Sequence, residues 1–243
     1  MHAILITAFI FPFLDRAQRF NCAQRWSAQL LKVLAVHIEI VGKPPADATP
    51  AMIVANHVSW LDIFAINAVR PVRFVAKAEI RKWPAVGWIA ELVGTLFVER
   101  ERRHGVARIN EQMVAALKQG DTFAVFPEGV ITSGDKVLPF HASLLQPALT
   151  CNASLYPVAI RYARADGSLC SEADYEGEKT IVDSLLQMVT LPAINLRLQF
   201  LAPLDCAGRH RRELAHDAAQ AIANALGVPA PRKRAGPTGD LQA

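Results

Sequence analysis

Ala51-Met52-Ile53-Val54-Ala55-Asn56-His57-Val58-Ser59-Trp60-Leu61-Asp62 decides how this 243-residue chain is organised. Its first five residues are apolar and β-prone and read as a strand. The run Ile63-Phe64-Ala65-Ile66-Asn67-Ala68-Val69 that follows reads as a buried helix. His57 then stands at the carboxyl end of a strand, with Asp62 in the first turn of a helix. A neutral imidazole in that place takes a proton from a hydroxyl, while the carboxylate accepts a hydrogen bond from the other ring nitrogen, fixing the tautomer and stabilising imidazolium. Spacing alone is a weak signal, because a chain with seven histidines produces such pairs by chance. A buried histidine bound to backbone groups, beside an aspartate favoured in a first helical turn, is equally compatible with these residues.

The neighbouring segments repeat the pattern. Thr122-Phe123-Ala124-Val125-Phe126 is a second apolar strand that ends at Pro127-Glu128-Gly129, where proline stops the ladder and glycine allows a tight turn. Gly94-Thr95-Leu96-Phe97-Val98-Glu99-Arg100 reads as a strand delivering a guanidinium, a group whose planar fork suits phosphate. Arg73 to Ala76 delivers Lys77, and Ser154 to Ile160 carries Pro157 near its middle. Val106, Ile109, Met113 and Leu117 recur at helical spacing before Gly120. Leu214, Ala218, Ala221, Ile222, Ala225 and Leu226 do the same before Gly227, and Asn195 to Leu201 forms a late strand. This alternation predicts a single-domain α/β fold, its sheet mostly parallel and covered by helices on both faces. Ligands of such sheets bind beyond the carboxyl ends of the strands, so His57, Lys77, Arg100 and Glu128 are expected at one edge.

The chain is long enough to bury a sizeable core, and no linker interrupts its middle. Cysteines 22, 151, 170 and 206 lack a Cys-x-x-Cys spacing, which favours a reducing compartment and argues against a zinc site. The net charge of +4 includes basic residues at 70, 73, 77, 81, 82, 100, 102 and 103. With no zinc finger, helix-turn-helix or aromatic RNA motif, a nucleic-acid partner is not expected, whereas an anionic membrane surface attracts the same charges. His2 to Leu14 is an apolar run whose roughly 20 Å of helix falls short of a hydrocarbon core of about 30 Å. Arg16 to Ile38 places Phe20, Ala23, Trp26, Leu30, Leu34 and Ile38 at helical spacing and reads as an interfacial helix. The expected organisation is therefore membrane-interface helices over 1–40, a catalytic domain over 41–228 and a disordered tail over 229–243.

Four blocks in order resemble the glycerolipid acyltransferases typified by 1-acyl-glycerol-3-phosphate acyltransferase. Asn56 to Asp62 is similar to the family's Asn-His-x4-Asp block, and Gly94 to Arg100 to its Gly-x-x-Phe-x-x-Arg block. Phe126 to Gly129 is similar to Phe-Pro-Glu-Gly, and Tyr156-Pro157-Val158-Ala159 to its proline-centred block. The resemblance implies a His57/Asp62 dyad that activates an acceptor hydroxyl. Arg100 and the Glu128-Gly129 turn would hold the acceptor, joined by Lys77 on the ground of its strand-end position, with no cofactor or metal beyond an acyl thioester of coenzyme A or acyl carrier protein as co-substrate. It also implies a lysolipid acceptor, 1-acyl-glycerol-3-phosphate giving phosphatidate, in a protein associated with the cytoplasmic face of the inner membrane. Acylation of another lysolipid, such as lyso-ornithine lipid, or a non-catalytic lipid-binding relative are the alternatives. One departure bears on the acceptor: Val130-Ile131-Thr132-Ser133 stands where many relatives carry Thr-Arg-Ser or Thr-Thr-Ser. No Gly-x-Ser-x-Gly nucleophile elbow and no phosphate-cradling nucleotide loop occurs, which disfavours a hydrolase or a nucleotide enzyme.

Overall fold

Short runs of buried apolar residues draw seven strands of the described chain into one sheet. They are β1 (Val36–Val41), β2 (Ala51–Ala55), β3 (Arg73–Lys77), β4 (Leu96–Val98), β5 (Thr122–Val125), β6 (Ser154–Ala163) and β7 (Ile194–Phe200). The computed structural model describes residues 13–46, 50–83, 86–99, 103–173 and 181–231. The strand order is β1-β7-β6-β2-β5-β3-β4. Pairing is parallel throughout except between β6 and β7. The helices are α1 (Arg16–Val33), α2 (Leu61–Val69), α3 (Val86–Leu92), α4 (Arg103–Leu117), α5 (Gln146–Cys151), α6 (Ile181–Met188) and α7 (Arg211–Leu226).

Alternation along the central strands divides the core in two. Met52, Val54, Phe123, Val125 and Leu155 pack with Met113 and Leu117 of α4, Ala148 of α5 and Leu214, Ala218 and Ile222 of α7. Ile53, Ala55, Ala124, Val158 and Ile160 pack on the other face with Leu31 of α1, Leu61 and Ala65 of α2 and Met188 of α6. All five residues of β2 are buried, as a strand covered on both faces requires. Pro157 fits this interior position for a geometric reason. Leu155 and Pro157 turn their carbonyls toward Leu204 and Leu201 beyond β7. The missing proline N–H therefore points where the β7 ladder, which starts at Val158↔Phe200, has not begun.

Two expectations need correction at the N-terminal side. The helix expected over Arg16 to Ile38 ends at Val33, because Ala35 takes a left-handed φ of 53° and Val36-His37-Ile38-Glu39-Ile40-Val41 pairs in register with β7. Residues 36–40, expected within the membrane-interface helices, therefore belong to the sheet. Asp15 and Gln18 form a reciprocal capping box at the start of α1. The helix then packs along α2, with Gln24 Nε2 donating to the Ala68 carbonyl at 3.2 Å and Trp26 meeting Phe64 edge-on at 5.3 Å. Arg16, at the start of this helix, is ion-paired with Asp121. Residues 1–12, most of the apolar run, lie outside the described residues. Among the described residues no helix is long and apolar enough to cross a membrane.

Smaller differences have equally local causes. The strand expected from Gly94 is confined to Leu96–Val98, since Gly94 sits at φ +84° with its carbonyl held by Arg73 Nε at 2.7 Å; a Cβ there would lie 2.9 Å from that nitrogen. Residues 229 and 230, expected in a disordered tail, are tied to the domain: the Pro229 carbonyl accepts from Val137 N–H at 3.2 Å, and Val228 and Ala230 pack on the core. Residues 232–243 lie outside the described residues.

One residue past β2, the Asn56 side chain extends the sheet as a peptide would. Its Nδ2 donates to the Ile160 carbonyl at 3.0 Å and its Oδ1 accepts from the Ile160 N–H at 2.8 Å, with Asn56 fully buried. Asn56→Ala strands both backbone groups and is expected to lower the unfolding free energy by roughly 2–4 kcal/mol. A urea midpoint equal to wild type would show that this rung adds nothing.

Candidate active site

His57 leaves β2 with almost every group already engaged. Its N–H donates to Glu128 Oε2 at 3.1 Å, and its carbonyl accepts from Thr132 N–H at 2.9 Å. Both partners come from the exit of β5, the strand parallel to β2 in the sheet. The imidazole stacks on Phe126 with ring centroids 4.0 Å apart and planes 14° from parallel. Its Nδ1 stands 2.8 Å from Asp62 Oδ2. Held at backbone, ring face and Nδ1, the side chain is 17% exposed, against 0% for Asp62, and Nε2 is the ring nitrogen left for a substrate.

Asp62 orders the loop that carries the base. Oδ2 accepts from the backbone N–H groups of Val58 and Ser59 at 2.8 and 3.0 Å as well as from His57. Oδ1 accepts from the Tyr162 phenol at 2.7 Å. Four donors on one buried carboxylate compensate its loss of water and lock the ring with its N–H toward the acid. Tyr162 is fully buried, and burial first, with the adjacent Asp62 charge second, pushes its hydroxyl well above the ordinary phenol range, so it remains a donor. Asp62 begins α2 as expected, and Ser59 supports the same turn by accepting from Leu61 N–H at 3.3 Å.

Glu128 reaches the same edge from β5 but turns its oxygens inward. Oε2 takes the His57 N–H and Oε1 takes the Leu138 N–H at 3.0 Å, so this buried carboxylate ties the base-bearing loop to the segment after β5. Gly129 turns the chain at φ +80°, its N–H bonded to the Phe126 carbonyl at 3.2 Å. Further along, Gly134, also at φ +80°, passes so close to Val58 that a Cβ would lie 3.2 Å from its methyl carbon. The departure at 130–133 thus has a structural content: Thr132 is bonded to His57, and Val130 is 49% exposed beside the site. Lys77 stands exposed at the end of β3, on the same sheet edge. Arg100 lies outside the described residues; β4, which leads toward it, ends at Val98 level with Lys77.

Asn56 and Tyr162 act on this site without having been singled out as site residues. Tyr162 is 100 positions from Asp62, and no local pattern announces that meeting. The geometry brings together an imidazole with one ring nitrogen unengaged, the carboxylate that orients it and the carboxyl ends of the strands, an arrangement able to take a proton from a hydroxyl.

The acyltransferase family profile matches residues 37–161, a span containing every group just described except Tyr162. The lyso-ornithine lipid O-acyltransferase of Pseudomonas aeruginosa is 38% identical over 208 residues, covering 85% of this chain and 79% of that protein. The 1-acyl-sn-glycerol-3-phosphate acyltransferase of Neisseria meningitidis is 34% identical over 178 residues, covering 73% and 69%. In fold, the crystal structure of the 1-acyl-sn-glycerophosphate acyltransferase of Thermotoga maritima superimposes with a TM-score of 0.69 at 23% identity, covering 91% of this chain and 86% of that one.

Burial is the main force that pushes the Glu128 carboxyl up to about 7 from an ordinary 4.5; its two amide bonds oppose the shift and the Asp62 charge adds to it. A carboxyl with a raised folded value binds its proton more tightly when folded. Its contribution to stability is therefore full below about 4.5 and is lost as pH rises through about 7. The expected loss is about 3 kcal/mol. Glu128→Gln, which cannot titrate and keeps one acceptor oxygen, is expected to flatten that slope in urea unfolding measured from pH 4 to 8; a slope like wild type's would remove Glu128 as its source.

Proposed function

The chain belongs to the acyltransferase family, and from that membership we propose that it transfers a fatty acyl group from an acyl thioester to the free hydroxyl of a lysolipid. The observation that carries this reading is the His57 ring, held by Asp62 at Nδ1 and offering Nε2 at the sheet edge. In the proposed reaction Nε2 takes the proton of the acceptor hydroxyl as its oxygen attacks the thioester carbonyl. Asp62 stabilises the imidazolium that forms. The C–O bond forms, the C–S bond breaks, and the imidazolium returns its proton to the departing thiolate. The thioester, of coenzyme A or acyl carrier protein, is a co-substrate, and the reaction needs no cofactor or metal.

Lys77, at the end of β3, and Arg100, two residues beyond β4 in the sequence, are proposed to hold the acceptor's headgroup as cations. Glu128 and Gly129 frame the acceptor from the β5 side, Glu128 chiefly by positioning the His57 backbone. The acceptor we put first is 1-acyl-glycerol-3-phosphate, giving phosphatidate. Lyso-ornithine lipid is a second reading that one observation favours: Val130 presents an apolar surface beside the site, where a phosphate would call for a cation or hydroxyl. A lysolipid keeps its tail in the bilayer, so the protein is proposed to work at a membrane, on its cytoplasmic face.

His57→Ala is expected to abolish transfer while the protein still unfolds cooperatively, at a lowered temperature because Asp62 loses one donor; residual activity close to wild type would defeat the base role. A panel pairing both thioester donors with lysophosphatidate and lyso-ornithine lipid identifies the acceptor, and product from neither would count against the reaction itself. Arg100→Ala should raise the acceptor KM with little change at saturation, as loss of binding shared by ground and transition states requires. Tyr162→Phe removes one donor from Asp62 and should lower kcat by roughly tenfold or less at unchanged KM. Because more charge then remains on the carboxylate facing the imidazole, the acidic limb of the pH–kcat profile should move upward. An unmoved limb would reduce Tyr162 to a packing role.

A further inference from the structure

Of the nine large apolar side chains exposed among the described residues, six lie in connections at the end of the sheet that carries His57; Phe13 and Val33 lie at the two ends of α1, and Ile40 sits on the edge strand β1. Trp83 and Trp88, 39% and 41% exposed, lie in the connection from β3 to β4, and Val130 follows β5. Val182, Leu186 and Val189, between 57% and 63% exposed, belong to the connection from β6 to β7. Because β6 runs parallel to β2 and β7 returns antiparallel, that connection spans the His57 end. The strand order sets these groups around the site: α6 beyond β6 on one flank, the tryptophans beyond β3 on the other, and Val130 between them.

α6 is the clearest case. Ser184 and Met188 are fully buried, and Trp60 Nε1 donates to Ser184 Oγ at 3.1 Å, tying the helix to the loop of the base. Val182, Leu186 and Val189 then recur at spacings of four and three on an exposed flank, so the helix is apolar both toward the core and away from it. An exposed apolar set of this kind marks an interaction surface, and tryptophan, with an apolar ring and a polar N–H, favours the boundary between lipid headgroups and acyl chains. Lys82 and Lys136, exposed cations in the connections that follow β3 and β5, complement anionic headgroups.

We propose that this end of the molecule is a bilayer-docking face: the two tryptophans, Val130 and the α6 flank enter the headgroup boundary of a phospholipid membrane and set His57 at the surface where the acceptor's hydroxyl emerges. The proposal rests on the lysolipid reading above. It places docking on elements other than α1, whose inner side packs on α2 and the sheet.

The test is cosedimentation of the full chain with phosphatidylglycerol–phosphatidylethanolamine vesicles, run beside transfer to a lysolipid in detergent micelles. The combined Val182→Gln, Leu186→Gln and Val189→Gln variant is expected to partition at least about tenfold less onto vesicles. It should lose transfer to vesicle-embedded acceptor and keep transfer in micelles. Partition equal to wild type overturns the proposal. Should the variant fail to fold, the unmodified protein decides. Vesicles should slow amide exchange over 78–92 and 181–190 and leave 211–226 unchanged, and unaffected exchange in the first two segments overturns the docking face. A lipid-free dimer that the variant dissociates would assign the face to a second copy of the chain and overturn it as well. Wild-type protein inactive in both formats would speak against acyl transfer, whereas partition and exchange would still judge the docking face.

Discussion

Everything at the sheet edge that carries His57 depends on one buried carboxylate. Asp62, without solvent exposure, accepts from the imidazole of His57, from two amides of the loop that carries it and from a phenol arriving on β6. The same contacts fold the loop and orient the base, so local structure and chemistry are not separable here. Opening the loop would leave a charge in a dry interior without its donors, a penalty of several kcal/mol. That penalty keeps the ring in place before any substrate arrives.

Much of this was legible because its signals are local. The strand, the base, the acid and the following helix occupy a single stretch from Ala51 to Val69, and the Pro127-Glu128-Gly129 turn announces a second strand end. The helix ending before Gly120 and the one ending at Gly227 carry spacing and stop signal together. What stayed hidden depends on distant meetings: Asn56 with Ile160, Tyr162 with Asp62, and the inward turn of Glu128 toward Leu138. Nothing in the residues near Tyr162 distinguishes it from an ordinary core tyrosine.

The end expected for the first helix was missed for a different reason. From Phe20 to Ile38 the apolar residues keep helical spacing, yet the last of them fall in a stretch of alternating β-branched residues. Pairing with β7 outweighs the continuation of a helix, because six residues gain a ladder partner and Val36 is buried. A left-handed residue at Ala35 makes the sharp reversal that lets the two elements lie in different layers. The outcome couples the first helix to the α/β domain through α2 and the sheet.

The amide of Asn56 has a consequence for how such a protein ages. Direct hydrolysis of that side chain to aspartate exchanges a nitrogen for an oxygen and barely alters the shape. Yet the nitrogen now giving its hydrogen to the Ile160 carbonyl would become an oxygen facing an oxygen at about the same 3.0 Å. The lesion would push β2 and β6 away from each other next to the base while leaving every reacting group chemically intact. An old molecule would thus lose its alignment before it loses its chemistry.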